Sequence, residues 1–83
     1  MVTFEVFRNY YIRHAMDKHP NNKYWETATQ VIENLGGMDQ IEMVYNLWCE
    51  ASPATQERIC GMNASDIEYR EHALSVELSR RID

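Results

Sequence analysis

KYWETATQVIENLGGMDQIEMVYNLWCEASP, residues 23–53, holds two apolar patterns separated by a pair of glycines. Placed at 100° per residue, Tyr24, Trp25, Ala28, Val31, Ile32 and Leu35 share one third of a helical wheel, with Glu26, Thr29, Gln30 and Glu33 opposite. After the glycines the pattern repeats: Ile41, Val44, Leu47, Trp48 and Ala51 lie on one side, and Asp39, Glu42, Asn46 and Glu50 on the other. Two amphipathic helices are predicted, one from about Lys23 to Leu35 and one from Met38 or Asp39 to about Ala51. Gly36-Gly37 suits the left-handed end of the first, and Asp39 with Glu42 has the spacing of a capping pair for the second.

Punctuation outside this stretch has the same character. Thr3 caps a helix to about Lys18, which His19-Pro20-Asn21-Asn22 ends, because proline disfavours helical geometry in the residue before it. Ser52-Pro53 reads as an N-cap with proline in the first helical position, and Gly61 closes that short helix. Ser65-Asp66-Ile67-Glu68 has the form of a capping box before a last helix to about Arg81. No stretch alternates apolar and polar residues in the manner of a strand. The expected fold is all-α, a compact single-domain bundle of four to five short helices over residues 1–83.

At 45% hydrophobic and 25% charged, the 83 residues match an ordinary globular domain with one core. No run of about eighteen apolar residues exists, and MVTFEVFRNYY interrupts any signal-peptide core with acid, arginine and tyrosine, so no membrane association is expected. Cys49 and Cys60 are not spaced as a redox or zinc pair and suit a reducing, cytoplasmic setting in which both are packing residues.

Chemistry-bearing residues are sparse. His14 falls with Phe7, Tyr10 and Tyr11 on the first helix, His19 lies in the proline turn and His72 on the last helix. None has a histidine or cysteine three or four positions away, as a zinc site needs. Nothing local supplies an oxyanion hole, and Gly36-Gly37 lacks the lysine and Ser or Thr of a phosphate loop. Neither an enzyme nor a cofactor is expected. Phe4, Phe7, Tyr10, Tyr11, Tyr24 and Trp25 read as core, with Tyr10 the one expected to be exposed.

Charge is distributed unevenly. Of the net −5, the segment up to Lys23 contributes +2, Tyr24 to Glu57 contributes −6 with no lysine or arginine, and the remainder −1. Helical phase turns Glu26, Glu33, Asp39, Glu42 and Glu50 away from the core. If the second and third helices lie side by side, these form one carboxylate face whose fields add. Such a face suits a protein partner with a basic, nucleic-acid-handling surface, making the chain an acidic adaptor or inhibitor. In size and charge alone it resembles the DNA-mimic proteins of phages and mobile elements.

Two alternatives come from the C-terminal third. The stretch from Thr55 to Val76 loosely resembles a helix-turn-helix unit, with Arg70, Arg80 and Arg81 as nucleic-acid contacts. Asp66, Glu68 and Glu71 would aim carboxylates at phosphate, however, so nucleic-acid binding is disfavoured. The last helix also carries two apolar stripes, Ile67, Leu74, Leu78 and Ile82 on one side and Tyr69, Ala73 and Val76 on the other. Either it lies between neighbours within the domain, or the second stripe meets another chain and makes a homodimer.

Overall fold

Thr3 opens the first helix: its Oγ1 accepts from the Val6 amide at 3.2 Å, and α1 runs over Phe4–Lys18. The structure, a computed structural model, describes residues 1–81; Ile82 and Asp83, and the side chain of Arg81, lie outside the described part. Beyond α1 come a single 3-10 turn, Lys23–Trp25, then α2 (Ala28–Asn34), α3 (Met38–Glu50), α4 (Pro53–Cys60) and α5 (Ala64–Arg81). The described residues are all-helical, as expected. α1 is the hub, with α2, α3 and α4 each packed on it, while α3 also meets α4.

Local chemistry sets each boundary. Asn21, in the turn after Pro20, takes a left-handed φ of 63°, one of the few residue types that does so readily. The helix expected from Lys23 to Leu35 is divided, because Thr27 and Gln30 form a capping box. The Gln30 amide donates to Thr27 Oγ1 at 3.2 Å, and the Thr27 amide donates back to Gln30 Oε1 at 3.1 Å. That exchange satisfies two otherwise orphaned amides and starts a new helix. Tyr24, left in the preceding turn, is 62% exposed rather than core, and Ala28 is exposed too. Trp25 reaches inward and stacks on His19, ring centroids 4.1 Å apart.

At the glycine pair, the Gly37 amide donates to the Ile32 carbonyl at 2.9 Å, closing α2 with both glycines at positive φ. Gly37 is also the N-cap of α3 and supplies no side-chain cap, so Asp39 and Glu42 lie inside the helix rather than capping it. Ser52, Pro53 and the left-handed Gly61 bound α4 as expected. At α5 the cap is two residues earlier than expected: Asn63 Oδ1 accepts from the Asp66 amide at 2.9 Å, and Ser65 is already helical.

The core centres on Phe7 and Trp48, 5.1 Å apart and both essentially sealed, with Ile41, Cys60, Ile67 and Val2 around them. Burying rings of this size supplies much of the apolar area available to so short a chain. Tyr45 tilts onto Phe7 and its hydroxyl donates to the Val2 carbonyl at 2.6 Å, fastening the residues ahead of α1. A second cluster of Ile12, Ala15 and Val31 joins α1 to α2 beside Trp25. On α3 the core side is carried by Ile41 and Trp48, with Val44 half-buried; Leu47 is 66% exposed because it lies on a flank that no neighbour covers.

Candidate interaction surfaces

Among the described residues, the buried and hydrogen-bonded contacts that tie α5 to the globule include a cluster in its first two turns. Gln56, buried on α4, accepts from the Ala64 amide through Oε1 at 2.9 Å, and Ile67 is fully buried in the main core. Tyr10 donates its hydroxyl to Glu71 Oε1 at 3.2 Å, the Met1 amine lies 3.1 Å from Glu68, and Arg70 reaches Met62 Sδ at 3.8 Å. Burial and the neighbouring Glu71 carboxylate push the Tyr10 hydroxyl's pKa up. Tyr10 is thus half-buried as an anchor, not exposed as expected.

From Glu68 to Arg80 every residue of α5 is exposed. Both apolar stripes are in the open: Tyr69 at 78% and Val76 at 40% on one, Leu74 at 48% and Leu78 at 58% on the other. Ala73 is exposed beside Val76. Over residues 68–80 the helix therefore does not lie between neighbours, and of the described members of the first stripe Ile67 is buried while Leu74 and Leu78 are exposed; Ile82 lies outside the described residues. Between α1 and α5 an open cleft of about 380 Å³ is lined by Asn9, Tyr10, Arg13, Arg70, Glu71 and Leu74.

The carboxylates Glu26, Glu33, Asp39, Glu42 and Glu50 are all exposed, and none makes an ion pair among the described residues. Their supports differ from the side-by-side arrangement: α2 and α3 each pack on α1 rather than along one another. Glu26 stands in the turn before α2.

Other candidates resolve into structure. Cys60 is buried, its Sγ donating to the Met62 carbonyl at 3.1 Å, and burial raises its pKa. Cys49 is exposed, so only one of the two cysteines is a packing residue. His14 sits half-buried beside Gly61, and His72 is exposed. Among the described residues no group of three or more His, Cys, Asp or Glu side chains could hold a metal, and no helix is long and apolar enough to cross a membrane.

No family model, curated protein or solved structure matches the chain. Its surfaces are therefore read on their own chemistry. The α4–turn–α5 unit exists, with Arg70 and Arg80 exposed, but Asp66, Glu68 and Glu71 are exposed on the leading turns of α5 as well. Two features escaped the sequence reading. Gln56 looks like any polar residue of a short helix, yet it is a buried polar junction. Met43 and Leu47, one turn apart on α3, are both exposed, which the helical phase of Leu47 alone did not indicate.

Proposed function

We propose that this chain is a small protein-interaction module whose contact element is the projecting part of α5. The observation that carries this reading is the unbroken exposure of residues 68–80, four large apolar side chains included. Short helices hold their shape in water chiefly because an apolar face packs against something. Here two such faces are offered, and among the described residues both are exposed. Apolar stripes bordered by charge are a common form of docking surface.

A second reading rests on the five exposed carboxylates, none of which makes an ion pair among the described residues. They would serve as the contact face for the basic surface of a nucleic-acid-handling protein, in the manner of an inhibitor. One experiment separates the two. Full-length chain, a chain ending after Glu71, and the Asp39→Lys, Glu42→Lys, Glu50→Lys variant are compared as baits in lysate at low and high salt. The shortened chain keeps Ile67 and its anchors, so its helicity and melting should resemble those of the full chain. Loss of partner on shortening, with retention by the charge variant, supports α5. The opposite pattern transfers the contact to the acidic surface.

A further inference from the structure

Two concavities adjoin along α1, and Tyr10, Arg13 and Arg70 line both. One, of about 300 Å³, continues past His14 and Asp17 to the end of α4 at Gly61. The other, of about 380 Å³, runs between Asn9 on α1 and Leu74 on α5. Arginines from two different helices therefore share one cleft. Neither makes an ion pair among the described residues, although Asp17 is one turn from Arg13 on α1 and Glu71 is next to Arg70. Glu71 is engaged by the Tyr10 hydroxyl, and Arg70 donates to the neutral Met62 Sδ at 3.8 Å. Going beyond the reading of α5 as a contact element, we infer that this cleft binds the phosphate group of a small phosphate monoester between Arg13 and Arg70.

The donor set selects phosphate. A guanidinium carries a permanent charge and presents its N–H groups as a planar fork. One fork already occupies both oxygens of a carboxylate, whereas the three terminal oxygens of a monoester accept two forks and keep capacity for a neutral donor. Asn9 stands at one end of the arginine pair and His14, whose protonation burial opposes, at the other. A doubly charged group also relieves the repulsion of two cations lining one space, which no carboxylate of the cleft does by pairing. Volumes of this size admit a small ligand, and Leu74 and Met62 give its organic part apolar surface on either side of the arginines.

Asp17 and Glu71 also line the cleft, one in each concavity, and with the net charge of −5 they oppose an anion. Their repulsion acts through solvent at an exposed rim, where salt screens it. The two forks act by direct charge-assisted hydrogen bonds, which are roughly twice as strong as neutral ones. Both arginines are thus required, since a single fork would leave the anion with as much negative as positive charge around it.

Nuclear magnetic resonance of the isotope-labelled full chain tests the site. It is titrated with inorganic phosphate, glycerol phosphate or acetate at fixed ionic strength and about pH 7.5, where a phosphate monoester is largely dianionic. Both phosphates should give saturable shifts at the Arg13 and Arg70 side-chain N–H groups and at the His14 and Met62 amides. Glycerol phosphate should bind at least as tightly as inorganic phosphate, and acetate about tenfold more weakly or worse. Arg13→Gln and Arg70→Gln should each lower the affinity about tenfold or more, the size of one lost charge-assisted contact. Arg70→Lys, which keeps the charge and removes the fork, should lose most of the binding, while Arg58→Gln, outside the cleft, should change nothing. All four side chains are exposed, so helicity should be unchanged throughout. Shifts that never saturate, that follow Lys18 and Lys23 equally, or that persist when both arginines are replaced would overturn the site. Acetate as tight as phosphate, or full binding by Arg70→Lys, would overturn the selection by paired forks, and binding of inorganic phosphate alone would overturn the ester.

Discussion

Trp48 and Gln56 exchange hydrogen bonds across the α3–α4 corner. The indole Nε1 donates to the Gln56 carbonyl at 3.2 Å, and the Gln56 side-chain amide donates to the Trp48 carbonyl at 2.8 Å. Gln56 Oε1 meanwhile accepts from the Ala64 amide at the start of α5, so one buried side chain ties three helices together. Replacement by leucine preserves bulk and strands the Ala64 amide, at a cost of about 1–3 kcal/mol for a buried group without a partner, while the Trp48 carbonyl keeps the Ala51 amide at 3.1 Å. Gln56→Leu should therefore lose about 1–3 kcal/mol in chemical denaturation. Gln56→Glu should lose at least as much, because it sets a carboxylate against the Trp48 carbonyl.

Gly61 and His14 are similarly interdependent. Gly61 ends α4 at φ 83°, and a Cβ there would stand 2.8 Å from His14 Nδ1. Gly37 has a comparable φ of 93° with nothing within 4 Å. Gly37→Ala should cost only the left-handed strain, about 1–2 kcal/mol, whereas Gly61→Ala should cost visibly more. Adding His14→Ala to Gly61→Ala should return part of the difference, which a double-mutant cycle of denaturation free energies reads directly.

The same histidine confers a pH dependence. Burial, and then the charge of Lys18 one turn away, lower the His14 pKa, while Asp17 pulls in the opposite direction. The unfolded chain takes up its proton near the ordinary value of about 6.5, the folded chain only at lower pH. Unfolded molecules thus bind more protons across that window, so this contribution to stability is intact above about pH 6.5 and is lost as pH falls through the folded value. Stability measured from pH 7.5 down to 5 should decline less steeply in His14→Gln than in wild type. Equal slopes would remove His14 as a source of the dependence.

Legibility in the sequence tracked how local each determinant is. Thr3, Ser52-Pro53 and Gly61 act within four residues of themselves, and all three fixed boundaries where the pattern placed them. The Thr27–Gln30 box was equally local, but the apolar phase of Tyr24 and Trp25 ran across it and suggested one continuous helix. Which face of a helix finds cover is not local. Leu47 and Leu74 have the phase of core residues, and exposure of both depends on where α1 and α4 stop. Gln56 marks the same limit from the polar side, since its three partners come together only once α3, α4 and α5 have met. The carboxylates were legible as solvent-facing, but not the placement of α2 and α3 on α1.

The two cysteines should part company by reactivity. Cys49 is exposed on α3, while Cys60 is sealed against Trp48 and Phe7, with its thiol bonded to the Met62 carbonyl and held protonated by burial. A thiol-directed reagent acts on an accessible thiolate. Mass spectrometry of the native chain should find one label, on Cys49, within the time that takes two labels under denaturing conditions. Cys60 should then be modified only at the rate of local or global opening, so Gln56→Leu, which loosens the corner above it, should accelerate Cys60 labelling and leave Cys49 unchanged. Simultaneous labelling of both sites in the folded wild type would mean that the α4 end opens freely, and Cys60 would then not be the fixed part of the core that its surroundings make it.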